Sequence, residues 1–184
     1  KIETTAKRAF IDGVQIECGS GCTAPTTAPT NFATANITKN TMDVSWTNGN
    51  GDMTWVVARA GSAVNANPVS GTSYTANAAF GSGSQLGTGN YVVYNGTGST
   101  VTTTNLTAGT TYHYAIYTYN SAHNCYNLTK LTGNATTLSP KIQLQYPLNT
   151  DVACGFTLGF GDVNTNTSAD LTFYIKNTGN TDLN

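Results

Sequence analysis

Short runs of β-branched and aromatic residues alternate with Gly and Asn clusters along this chain. That punctuation restricts it to short strands joined by turns. Met42-Asp43-Val44-Ser45-Trp46 alternates apolar and polar residues, the period of a half-buried strand. A dense turn signal, Thr47-Asn48-Gly49-Asn50-Gly51-Asp52, follows. Met53–Ala60 is the next strand, ended by Gly61, and Tyr91–Tyr94 runs into Asn95-Gly96, a strong turn signal. Ser99–Thr104 is β-branched, and Thr111–Tyr119 is the longest strand, rich in aromatics. No stretch keeps a helical period. Of 184 residues, 34 are Thr, 21 Asn and 19 Gly, a composition that favours pleats and turns over helices. The pattern indicates an all-β sandwich.

Charged residues make up only 9% and the net charge is −1. No basic field exists to gather phosphates, so nucleic acid is not an expected partner. No apolar run approaches the length of a membrane span, and Lys1–Phe10 lacks the apolar core of a signal peptide. Cys18, Cys22, Cys125 and Cys154 show no CxxC spacing, and His113 and His123 are the only histidines. A zinc site is therefore not expected, and disulfides in an oxidising compartment are. Few charges and much Thr and Asn fit an extracellular or outer-surface location.

Catalytic constellations are thin. Neither histidine sits beside a nucleophile motif, and Asp43, Asp52, Asp151, Asp162, Asp170 and Asp182 are scattered. The expectation is no enzyme, no catalytic residues, no metal and no cofactor. Asn48, Asn50 and Asp52 place oxygens at alternate loop positions, as Ca²⁺ loops do, but only one is charged and no twelfth-position Glu follows. An ordinary turn is the reading preferred, and Asp162-Val-Asn164 is no stronger. Six N-x-[ST] sequons, at Asn36, Asn95, Asn105, Asn127, Asn134 and Asn166, are largely what such a composition produces by chance.

A Gly/Thr/Pro linker, residues 19–30, and a shorter joint at Leu138-Ser139-Pro140 divide the chain. The middle piece, 31–137, resembles a fibronectin type III domain, a seven-stranded sandwich. Trp46 and Leu106-Thr-Ala-Gly-Thr-Thr-Tyr112 carry the resemblance. It implies structural-core roles for Trp46, Leu106 and Tyr112, with the Tyr112 hydroxyl bonded to upstream backbone as in a tyrosine corner. Tyr112, Tyr114, Ile116 and Thr118 would face inward, and His113, Ala115, Tyr117 and Tyr119 outward. Ser70–Asn90 is longer than a compact family member needs. Ala58-Arg-Ala-Gly-Ser62, Gly89–Gly96 and Thr111–Tyr117 look like a sub-type from multidomain secreted and surface proteins of bacteria, many of them type IX secretion cargo.

The last piece, 138–184, resembles the start of a choice-of-anchor immunoglobulin-like domain, through Pro140–Leu144, Phe160–Val163 and Phe173–Asn180. It would supply three or four strands of a sandwich that needs roughly seven, leaving an apolar face and open edges. The first piece, 1–18, through Arg8–Cys18, looks like the closing strands of a preceding jelly-roll module. Both ends look cut, as in a fragment of a longer protein.

In a fibronectin type III sandwich Cys22, ahead of the first strand, and Cys125, in the loop between the sixth and seventh, would lie at one pole. Cys22–Cys125 is the pairing that the resemblance favours, with Cys18–Cys22 the competitor and outside partners for Cys18 and Cys154. The strand Met53–Ala60 has two phases. If Arg59 faces solvent, Trp55, Tyr117 and Tyr119 form an exposed aromatic strip that could stack on sugar rings; if Trp55 points inward, it is core. Three functions follow. The first is a non-catalytic spacer or adhesion module whose partners are neighbouring domains of the same polypeptide. The second is a carbohydrate-binding module that meets polysaccharide. The third is an assembly subunit in which Arg8–Cys18 completes another chain's open half-domain.

Overall fold

The computed structural model describes residues 9–11, 14–16, 22–155, 157, 170–180 and 182. Cys18, the Phe160–Val163 motif, the Asp162/Asn164 pair and the sequon at Asn166 lie outside them.

Seven strands build two facing antiparallel sheets. One is three-stranded, in the order β3 (Thr30–Ala35), β4 (Met42–Thr47), β7 (Thr100–Thr103). The other is four-stranded, in the order β10 (Leu131–Thr136), β8 (Thr111–Asn120), β5 (Met53–Ala60), β6 (Asn90–Gly96). A two-residue strand, β9 (Cys125–Tyr126), adds to the far end of β8. This is the seven-stranded, fibronectin type III-like arrangement that the sequence implies. Two small two-stranded sheets flank it: β1 (Ala9–Ile11) with β2 (Val14–Ile16), and β11 (Ile142–Gln145) with β12 (Tyr174–Asn177).

Register follows from which face each strand must bury. Val44 lies opposite Val101, and Val56 opposite Ile116, so all four point into the space between the sheets. They join Met42, Trp46, Leu106, Tyr112 and Tyr114 in one core. Trp46 meets Tyr94 edge-on, with ring centroids 5.3 Å apart. On the other side of the sandwich Gly133 of β10 admits the Phe32 ring directly over its Cα, a place no side chain could share.

Chain direction fixes two poles. β4 ascends from Met42 to Thr47 and β8 from Thr111 to Asn120, so the loops 48–52 and 121–124 share the upper pole. The loops 36–41 and 104–110 share the lower one.

Candidate functional site

The register sets Trp55 opposite Tyr117 and Met53 opposite Tyr119, on the face of the large sheet turned away from the other sheet. The outward phase is therefore real, but the exposed strip is not. Trp55 and Tyr117 are 0% exposed and Tyr119 3%. The long segment 61–89 between β5 and β6 folds over this face as a strap. Val64, Ala66, Tyr74, Ala76 and Leu86 of the strap, with Tyr126 of β9, make a second core on it. Trp55 lies 5.0 Å from the Tyr74 ring, 5.6 Å from Tyr117 and 5.4 Å from Tyr126, while Tyr119 stacks on Tyr126 at 4.8 Å. Trp55, Tyr117 and Tyr119 are thus corrected from a ligand face to packing residues, because the strap lays Val64, Tyr74 and Leu86 on that face and takes the rings out of water.

The phenols stitch the strap down. Tyr117 Oη donates to Asn67 Oδ1 at 2.9 Å, and Tyr126 Oη donates to Thr72 O at 3.2 Å. Lys130 Nζ donates to the same Asn67 oxygen and sits 5.7 Å above the Tyr117 ring. Tyr119 Oη donates to Asn95 Oδ1 at 2.8 Å. Burial pushes the Tyr117, Tyr126 and Tyr119 hydroxyls up. In the other core burial pushes Tyr114 up to about 12, against the opposing bond with Thr103. The strap also closes two sheet edges. Its Ser84 and Asn77 bond to Val92 of β6, and Ala78 and Phe80 bond to Thr104 beyond β7. At its root Asn90, wholly buried, donates to Leu86 O and Asn65 Oδ1.

At the upper pole the incoming arm, 22–29, is fastened rather than loose. Cys22 is bonded to Cys125, with Cα atoms 5.5 Å apart. Asn50 Oδ1 accepts from the backbone N–H of both Thr26 and Thr27, at 3.0 and 2.8 Å, and Asn120 Nδ2 donates to Thr23 O. Pro25 and Pro29 are buried. The oxygens weighed as calcium ligands are already occupied. Asn48 Oδ1 accepts from Trp46 Nε1 and Thr54 Oγ1, Asn50 holds the arm, and Asp52 accepts from the Ser121 N–H and hydroxyl. Among the described residues no group of three or more His, Cys, Asp or Glu could hold a metal.

At the lower pole Tyr112 Oη accepts from Thr107 N at 2.9 Å, and Leu106 is buried beside it. The outgoing chain is fastened here too. Thr137 Oγ1 donates to Thr107 O at 2.6 Å, Leu138 N donates to Thr38 O, and Gly109 N donates to Leu138 O. Beyond it Ser139 N donates to Asn180 Oδ1 at 2.7 Å, tying the joint to the chain just past β12. His113 lies between Arg59 and Asn134 across the sheet, and His123 is exposed in a 3-10 turn, Ser121–His123. On the β11–β12 sheet Ile142 is 63% exposed, Phe173 53% and Ile175 62%. An open groove of about 650 Å³ lies against it, lined by Ile142, Leu144, Val152 and Phe173 with Asp151 and the free thiol of Cys154.

No protein-family profile matches the chain, and no curated protein does. Among solved structures it is similar to a computationally redesigned β-sandwich protein, at 20% identity over 61% of this chain and 95% of that one, with a TM-score of 0.42. It is also similar to a crystal structure of a fibronectin type III domain of human collagen XX, at 18% identity over 65% and 100%, TM-score 0.40. A solution structure of a domain of the human collagen α1(XX) chain gives 21% over 65% and 90%, also with a TM-score of 0.40. No helix among the described residues is long and apolar enough to cross a membrane.

Proposed function

We propose that this chain is a non-catalytic spacer or adhesion module of a secreted or cell-surface protein. It holds neighbouring domains of the same polypeptide at a fixed separation. The observation that carries this reading is the fastening of the chain at both poles, by the Cys22–Cys125 bond and Asn50 above and by Thr137 and Leu138 below. Flanks left free would let neighbouring domains move independently. A disulfide of this kind supports an oxidising, extracellular or outer-surface setting. The motif resemblances add a bacterial source, type IX export, the boundaries 1–18, 19–30, 31–137 and 138–184, and a choice-of-anchor domain beginning at 138.

The test is a distance measurement on the full chain with labels at Ala24 and Lys141, both exposed. A single narrow distribution is expected, broadening when Asn50→Ala is combined with reduction. A broad distribution in the oxidised wild type would count against the reading. A second reading, assembly through strand exchange, is favoured by the exposed Ile142, Phe173 and Ile175 face. Concentration-dependent multimers of the isolated chain, lost in Ile175→Lys, are its expected signature.

A further inference from the structure

We propose that the oxidised module transmits tension from pole to pole without unfolding, because the Cys22–Cys125 bond diverts the pull past most of the sandwich and into β10. This rests on the spacer reading, in which neighbouring modules pull on both flanks.

The argument is one of connectivity. A pull on the incoming chain reaches Cys22 and has two covalent routes onward. One runs through β3 to β8, the 103 residues that separate the two cysteines in sequence. The other is a single disulfide whose Cα atoms stand 5.5 Å apart. A long loop in parallel with so short a link cannot extend, so the backbone of β3 to β8 is not drawn out. From Cys125 the chain passes through β9 and residues 127–130 into β10, then leaves by Thr137 and Leu138 at the other pole.

That remaining route has little slack. Its roughly 13 residues span at most about 45 Å when fully drawn out. β10 is already extended and accounts for about 20 Å of this. Even with β10 stripped from β8 the module could lengthen by at most about 25 Å, against roughly 350 Å stored in the closed loop. β10 is also held laterally, paired with β8 from Leu131↔Ile116 to Thr136↔Thr111 and covered at Gly133 by Phe32. The docking of the incoming arm by Asn50 fits the same design, since it keeps Cys22 seated beside Cys125 when the pull is absent.

The test holds the full chain by its two ends in an optical trap. It is stretched as the oxidised protein, after reduction with a phosphine, and as Cys22→Ser, which opens the loop by a second route. Peptide mapping of the oxidised sample establishes the Cys22–Cys125 linkage beforehand. Up to the force at which either opened form unfolds, the oxidised protein is expected to show no step, whereas the opened forms then lengthen by about 350 Å more than it can. A step of up to about 25 Å in the oxidised protein at or below that force, the length released when β10 is stripped from β8, would overturn the proposal and leave the spacer reading intact. A broad unloaded distance between Ala24 and Lys141 would remove the spacer reading and leave the stretching measurement standing.

Discussion

Trp55 shows how far a residue can be read before its surroundings are known. Strand period gives its phase, and pairing with Tyr117 gives its neighbour, yet neither says whether the face it occupies is wet. That depends on a segment whose sequence, Gly61–Gly89, has no strand pattern at all. Trp55→Ala is expected to destabilise the protein by about 3–5 kcal/mol in urea unfolding, the cost of emptying a closed aromatic core. A ligand-stacking residue on an open face would cost little. Tyr112 was legible in full, because Leu106-x-x-Gly109-x-x-Tyr112 encodes a local turn and its bond to Thr107 spans five residues. Tyr112→Phe should cost about 1–2 kcal/mol. The buried phenols also predict an alkaline limit. Below pH 10 each is neutral whether the chain is folded or not, so its contribution is fully present. Between pH 10 and 12 the unfolded chain gives up protons that folded Tyr114 keeps, and stability falls, by on the order of 3 kcal/mol for Tyr114 alone. Thermal melts from pH 8 to 12 should show a flat Tyr-dependent contribution and then a decline beginning near 10, smaller in Tyr114→Phe.

Among the elements, the strands with strong alternation or aromatic content were readable: β4, β5, β6, β7 and β8 sit within a few residues of where the pattern puts them. β3 and β10 were not. Thr30–Ala35 and Leu131–Thr136 contain small and polar residues, and each becomes a strand only because a neighbour offers hydrogen bonds and because Phe32 covers Gly133. Gly133→Ala would place a methyl group against that ring, so it should destabilise by about 1–3 kcal/mol despite adding β propensity. The incoming arm makes a sharper element-level case. Its Thr/Pro composition reads as a stiff free linker, whereas one side chain, Asn50 from a turn, binds two of its amides. Asn50→Ala should leave the sandwich folded and raise the rate of protease cleavage within residues 23–29. Unchanged cleavage would mean that the disulfide alone holds the arm.

At the scale of the whole molecule, the sandwich that the sequence implies has two layers, and the protein has a third. The strap makes the large sheet an interior sheet, apolar on both faces, which is why β8 is buried almost without alternation. Nothing local could announce this, since the strap's apolar residues, Val64, Tyr74 and Leu86, are spaced widely among Gly, Ser and Asn. The disulfide acts at the same scale. Opening a loop of this length should lower stability by about 5 kcal/mol in the chain-entropy picture, seen as a lower denaturation midpoint in reductant.

Two-sided burial of β8 also sets a clock. Its backbone amides are walled off by a core above and a core below, and are paired to β5 on one edge and to β10 and β9 on the other. Local opening cannot reach them while either core stands. In deuterated buffer the amides of Tyr114 to Thr118 should therefore be the last in the chain to exchange, at the rate of global unfolding. The strap's own amides should wash out far sooner. A protein with one ordinary sandwich core would instead exchange its outermost sheet from the solvent side, and the difference between those two time courses is a direct reading of the extra layer.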